Sequence, residues 1–328
     1  MDNDAARIEL LNDAVEAILS GAASANAPAG SEIAALIPVA AALRGLPRDS
    51  FKARLKEDLM TTATMTGLGS ELGRPPEGFR SITPHLVVSR GAEAFLEFVK
   101  TAFGAKELVR STGSLGMHAQ FRIDDSIVMI GGNVRSDVPD APAALHFYVP
   151  DADTVYERAL EAGATSIKPP VDQPYGDREA GVKDPAGNTW WIATHLAGPS
   201  FRPEGFPAIT PFLHPRGAAK LIDFLAAAFG ASEVERAQSP DGVVHHATVR
   251  IGDSMVEMGE AHGDYQPLAS QFYLYVADCD AVYRTALGAG ATSRSEPADQ
   301  PYGDRSATVE DGFGNTWFIA ARLSRKEG

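Results

Sequence analysis

The stretch from Glu77 to His195 is written twice. Glu77-Gly78-Phe79-Arg80-Ser81-Ile82-Thr83-Pro84 returns as Glu204-Gly205-Phe206-Pro207-Ala208-Ile209-Thr210-Pro211. Pro174-Tyr175-Gly176-Asp177-Arg178 returns as Pro301-Tyr302-Gly303-Asp304-Arg305, and Asp184-Pro185-Ala186-Gly187-Asn188-Thr189-Trp190 as Asp311-Gly312-Phe313-Gly314-Asn315-Thr316-Trp317, all at an offset of 127. A period this long is no solenoid repeat; it marks a duplicated domain, each copy large enough to own a core. The chain of 328 residues, 44% of them apolar, has the length and composition for two such domains.

Charge and cysteine content narrow the function classes. With 29 basic against 43 acidic residues, a net charge of −14 argues against a protein that holds nucleic acid by neutralising phosphates. It suits partners that are small molecules or other proteins. The single cysteine, Cys279, excludes an intrachain disulfide and a CxxC metal site, and points to a reducing, cytoplasmic setting. Its place at a helix start is one that can lower a thiol pKa. Met1-Asp2-Asn3-Asp4 is acidic where a signal peptide is basic, and no apolar run reaches the length of a membrane span.

Hydrophobic spacing divides the chain into a helical N-terminal region over 1–60, a Thr/Gly/Pro-rich linker over 61–76, a first domain over 77–195, a linker over 196–203 and a second domain over 204–322. Residues 1–60 carry apolar stripes at helical spacing, such as Ile8, Leu11, Val15 and Ile18, and offer a surface for a protein partner or self-association. Each domain reads as strand, helix and three strands, then the same plan again. Helices begin after Asp151 as N-cap and end at Gly104 and Gly163. The fold class is α+β: two β-α-β-β-β modules per copy, joined around a cavity between curved sheets.

Pro84-His85, Phe103-Gly104-Ala105, Asp124-Asp125-Ser126, His146-Phe147-Tyr148-Val149, Tyr175-Gly176-Asp177-Arg178 and Asp184-Pro185-Ala186-Gly187-Asn188 together resemble the vicinal oxygen chelate superfamily. That family holds glyoxalase I, bleomycin-resistance proteins and extradiol dioxygenases. The order of the YGDR and DPxGNxW segments is similar to PhnB-like members, and the resemblance covers about residues 77–322. It implies tandem glyoxalase/bleomycin-resistance-type domains. Metal-dependent members chelate through four strand positions, which fall here on His85, Met129, His146 and Trp191 in the first copy and on Phe212, Glu257, Tyr273 and Phe318 in the second.

Only two of the first four, His85 and His146, are metal-ligand types, and only Glu257 of the second four. Two imidazoles need a third ligand, for which His118, Glu179 and His195 are candidates. The expectation is that His85 and His146 face one cavity in the first domain. There they act as hydrogen-bonding or general-base groups without a cofactor, or as a site for Zn, Ni, Mn or Fe. Trp191, Phe212, Tyr273 and Phe318 make the cavities apolar and suited to stacking. Tyr175, Arg178 and Arg305 lie in turns, where each arginine either ties down its loop or sits at a rim to pair an anionic ligand. Three functions follow: metal-independent binding of a planar small molecule, a metal-dependent lyase, isomerase or oxygenase centred on His85 and His146, or a non-catalytic scaffold using residues 1–60.

Overall fold

The computed structural model describes residues 75–113, 116–132, 141–263 and 265–323. The helical region and partner surface expected over 1–60, and most of the 61–76 linker, lie outside the described residues. Four β-α-β-β-β modules follow one another. The first holds β1 (Ile82–Val88), α1 (Ala92–Phe103), β2 (Lys106–Gly113), β3 (Gly116–Ile123) and β4 (Ser126–Gly132). The second holds β5 (Ala144–Tyr148), α2 (Ala152–Glu161), β6 (Thr165–Asp172), β7 (Asp177–Lys183) and β8 (Thr189–His195). The third holds β9 (Ile209–Leu213), α3 (Ala218–Phe229), β10 (Ser232–Gln238), β11 (Val244–Ile251) and β12 (Ser254–Met258). The fourth holds β13 (Gln271–Tyr275), α4 (Cys279–Gly288), β14 (Thr292–Asp299), β15 (Asp304–Glu310) and β16 (Thr316–Arg322).

Local chemistry sets the element ends. Asp151 and Asp278 accept from the backbone N–H of Thr154 and Ala281 at 3.0 and 2.9 Å, capping α2 and α4. Gly104 and Gly230 close α1 and α3 in the left-handed conformation, at φ 69° and 66°, which a Cβ would oppose. The Asp184 and Asp311 turns are built alike. Each carboxylate accepts from two backbone N–H groups, from the following Asn side chain, and from the Nε1 of Trp190 or Trp317. Burial raises both carboxyl pKa values, against the pull of those donors.

The pairing of modules departs from the expected plan. Each eight-stranded sheet takes half of each copy. One runs β14-β15-β16-β13-β1-β4-β3-β2 and the other β10-β11-β12-β9-β5-β8-β7-β6. The seams are antiparallel, β1 on β13 and β5 on β9. Modules of one copy stay together instead through the helix side of their sheets. Phe95, Phe103, Phe121, Leu145, Phe147 and Trp190 belong to one core, and Leu221, Phe229, Val249, Phe272 and Trp317 to another. Strand alternation sends Leu145 and Phe147 into the helix-side core and His146 and Tyr148 to the opposite face.

Two hairpin turns clasp the copies reciprocally. Asp125 and Ser126 accept from the backbone N–H groups of Ala208 and Ile209 at 2.9 and 3.0 Å. Asp253 and Ser254 accept from those of Ser81 and Ile82 at 2.7 and 2.9 Å. The first turn puts Asp124 at φ 50°, where its counterpart is Gly252 at φ 60°. No helix among the described residues is long and apolar enough to cross a membrane.

Candidate functional site

The swapped pairing regroups the candidate residues. His85 lies on β1 and His146 on β5, in different sheets, so they do not share a cavity. The expected first-domain site is corrected accordingly. The physical reason is that β1 and β5 each satisfy their open edge against the other copy, at β13 and β9. The eight positions therefore sort as His146, Trp191, Phe212 and Glu257 in one sheet, and His85, Met129, Tyr273 and Phe318 in the other.

The first of these groups lies on the wall of a cavity of about 630 Å³. Six of the chain's eight histidines line it: His146, His195, His214, His245, His246 and His262. Trp191, Phe212, Phe206 and Tyr265 supply rings. His214 stacks on Tyr265, centroids 5.4 Å apart and planes 14° from parallel, and Trp191 meets the same tyrosine at 5.8 Å. From the sequence, Trp191 and Phe212 are assigned to separate cavities of the two copies, and neither Tyr265 nor His214 is singled out. Neither lies at a family position, though His214, two residues after Phe212, shares its strand-face parity.

A buried ion pair forms the polar part of the wall. His146 Nδ1 donates to Glu257 Oε2 at 2.9 Å, and the two residues are 5% and 2% exposed. His246 Nε2 lies 3.4 Å from the other Glu257 oxygen. Burial alone would depress the His146 pKa, but the charge and hydrogen bond of Glu257 and the charges of Glu179 and Asp177 outweigh it and raise it to about 8. Burial would raise the Glu257 pKa, but His146 and His246 hold it at about 2. His146 Nε2 is buried without a hydrogen-bond partner, 3.7 Å from Glu179 Oε2. The other Glu179 oxygen takes Lys168 Nζ at 2.6 Å, and that ammonium lies 5.5 Å from the Trp191 ring centroid.

The opposite sheet builds a less charged group. His85 Nδ1 lies 3.1 Å from Gln271 Oε1, and its ring packs against Phe318 and Tyr273 at 5.4 and 5.8 Å. Met129 pairs with it on β4 and packs against Tyr275. Burial lowers the His85 pKa to about 4, keeping the ring neutral at physiological pH.

The two arginines are spent on aspartates of their own modules. Arg178 binds Asp153 and Asp172, and Arg305 binds Asp280 and Asp299. Arg178 does not line the 630 Å³ cavity, and each arginine fastens its strand to the first turn of a helix and to the end of the preceding strand; Tyr175, 60% exposed, does line the cavity. Cys279 is also corrected. It is buried, and its thiol pKa is raised to about 11 rather than lowered, because desolvation dominates.

A chelated divalent ion, as in metal-dependent relatives, does not fit these side chains. Phe212 and Trp191 occupy two of the four positions around His146. Among the described residues, no three His, Cys, Asp or Glu side chains are grouped to hold an ion. Of the suggested third ligands, His195 Nδ1 is held by Asp177 at 2.7 Å and His118 Nε2 meets Gln120 Nε2 at 3.2 Å; only Glu179 stands beside His146.

Space for the Trp191 ring comes from Gly181, directly across the β7–β8 ladder. A Cβ there would lie 2.5 Å from Trp191 Cζ3, whereas the second copy pairs Thr308 with the smaller Phe318. Gly181→Ala is expected to push the indole out of place at an overpacking cost of about 1–3 kcal/mol. Urea denaturation of the variant checks it.

Paired β-α-β-β-β modules with a side-chain-lined cavity on one mixed sheet define a small-molecule site of the glyoxalase type. The family model of the Glyoxalase/Bleomycin resistance protein/Dioxygenase superfamily matches residues 82–192 and 215–319, and the chain belongs to that superfamily. An uncharacterized protein of Mycobacterium bovis is 38% identical over 122 residues, covering 34% of this chain and 80% of its own. The anthracycline biosynthesis protein DnrV of Streptomyces peucetius is 27% identical over 239 residues, 66% of this chain and 84% of its own. Glyoxalase I from Zea mays aligns in structure with a TM-score of 0.57 at 16% identity, over 73% of this chain and 92% of its own. At that identity the likeness speaks to the fold alone.

Proposed function

We propose that the protein is a metal-independent binder of a planar, polycyclic aromatic compound, held in the cavity between β5, β8, β9 and β12. The observation that carries this reading is the pair of aromatic side chains, Trp191 and Phe212, where chelating relatives place ligands, in a cavity that also presents Tyr265 and His214. Stacking on such rings contributes about 0.5–1.5 kcal/mol per pair beyond area burial. A volume of about 630 Å³ lies within the usual range for a small-molecule pocket. The anthracycline link of DnrV, a relative over two thirds of this chain, supports a polycyclic ligand. His85, Met129, Tyr273 and Phe318 would serve a second, neutral binding position.

The metal-dependent alternative has a direct test. Elemental mass spectrometry of the protein after incubation with Zn²⁺, Ni²⁺, Mn²⁺ and Fe²⁺ and desalting should find substoichiometric metal, unchanged in the His146→Ala variant. About one ion per chain, lost in that variant, would restore the metalloenzyme reading.

A further inference from the structure

We infer that His146 and Glu179 act as an acid and a base that interconvert the keto and enol forms of a neutral aromatic ketone bound in the cavity. The inference rests on the binding reading above and adds a reaction to it.

The geometry begins with orientation. Glu257 accepts from His146 Nδ1 at 2.9 Å, which fixes the ring and leaves Nε2 as the free nitrogen. That nitrogen is buried and has no hydrogen-bond partner, an unfavourable state that a ligand oxygen would relieve. Glu179 is oriented in the same way. Lys168 Nζ holds one of its oxygens at 2.6 Å, and the other faces His146 Nε2 at 3.7 Å. A protonated imidazole and a carboxylate this close bracket the two ends of an O=C–C–H unit, whose oxygen and α-hydrogen lie about 2.5–3 Å apart, comparable with ordinary hydrogen-bonding reach.

The step balances within the site. The Nε2 proton passes to the ketone oxygen as the α-carbon loses its proton to Glu179 Oε2. The C–H bond electrons form the new C=C bond, and the former carbonyl becomes O–H. His146 is then neutral, still donating Nδ1–H to Glu257, and Glu179 is protonated. Transfer of that proton from Glu179 to Nε2 restores the starting state, with no oxidant or other reactant consumed. The substrate is neutral throughout, so no net charge enters a cavity that already holds Glu257, Glu179 and Asp177. Because His146 stays protonated to about pH 8, the acid is present at neutral pH.

The other sheet lacks the device. At the repeat offset of 127, His146 corresponds to Tyr273 and Glu179 to Ser306. One such centre per chain is therefore expected.

The test follows deuterium uptake at the α-carbon of β-tetralone in D₂O by NMR, with quenching of tryptophan fluorescence by the same ketone as the binding readout. The full-length protein should accelerate exchange at least about 100-fold over buffer. His146→Gln and Glu179→Gln should each bring it to within a few-fold of buffer while quenching persists. Glu257→Gln, a positioning change, should move the alkaline limb of the pH profile below its wild-type place near pH 8. Glu179→Gln keeps the His146–Glu257 pair, so it remains informative if the buried-pair variants fail to fold. Quenching without accelerated exchange, or exchange indifferent to both glutamine variants, overturns the acid–base inference and spares the binding reading. An absence of quenching and of exchange overturns both.

Discussion

Trp190→Ala should destabilise the protein by about 4 kcal/mol, the largest single-residue effect expected outside the cavity. The indole is fully buried, packed against Phe103 and Phe147 at 4.7 and 6.3 Å between centroids. Its Nε1 also donates to Asp184 Oδ2 at 2.8 Å, so truncation removes core volume and a donor from a buried carboxylate at once. Trp190→Phe separates the two losses: it keeps most of the ring and should cost about 1–2 kcal/mol, the price of a carboxylate oxygen left short of a partner. Urea denaturation of both variants measures the pair of values. Equal losses would show that the hydrogen bond, not the packing, carries the effect.

The second large effect is at Glu257. Glu257→Gln leaves His146 buried without its counter-charge, and breaking one side of a buried pair costs about 3–5 kcal/mol. The pH dependence has a definite sign. The His146 pKa rises from 6.5 to about 8 on folding, so its contribution is complete below pH 6.5 and is lost as pH climbs through 8. The Glu257 pKa falls from 4.5 to about 2, so its contribution is complete above pH 4.5 and is lost as pH drops through 2. The stability gap between wild type and Glu257→Gln should therefore be widest between those limits and shrink by about 2 kcal/mol from pH 6 to pH 9. His85 and His214 titrate in the opposite sense, with pKa values lowered to about 4 by burial, but they are common to both proteins and cancel in the gap. NMR titration of His146 should place its pKa below 6.5 in the variant; a value still near 8 would assign the shift to Glu179 and Asp177 instead.

Most of the fold was legible because it is encoded locally. The Asp151 cap, the Gly104 stop and the Asp184 and Asp311 turns act within a few residues of themselves. The repeat and the family motifs located all four modules. What stayed hidden was which module pairs with which. The choice lies in edge-to-edge backbone bonds and in the Asp125-Ser126 and Asp253-Ser254 clasps, whose partners lie 83 and 172 residues away and leave no local signal. That choice separates His85 from His146 and brings Glu257 to His146 from 111 residues away. The Arg178 and Arg305 partners were similarly ambiguous, since such an arginine has the same sequence appearance whether it faces a ligand or an aspartate of a neighbouring helix 25 residues away.

Fluorescence titration with an anthracycline aglycone, wild type against Trp191→Leu, tests the central claim most directly. Saturable binding without added metal is expected, weakened at least about tenfold when the indole proposed to stack on the ligand is removed. Binding that requires a divalent ion, or that is equally tight in Trp191→Leu, would contradict it.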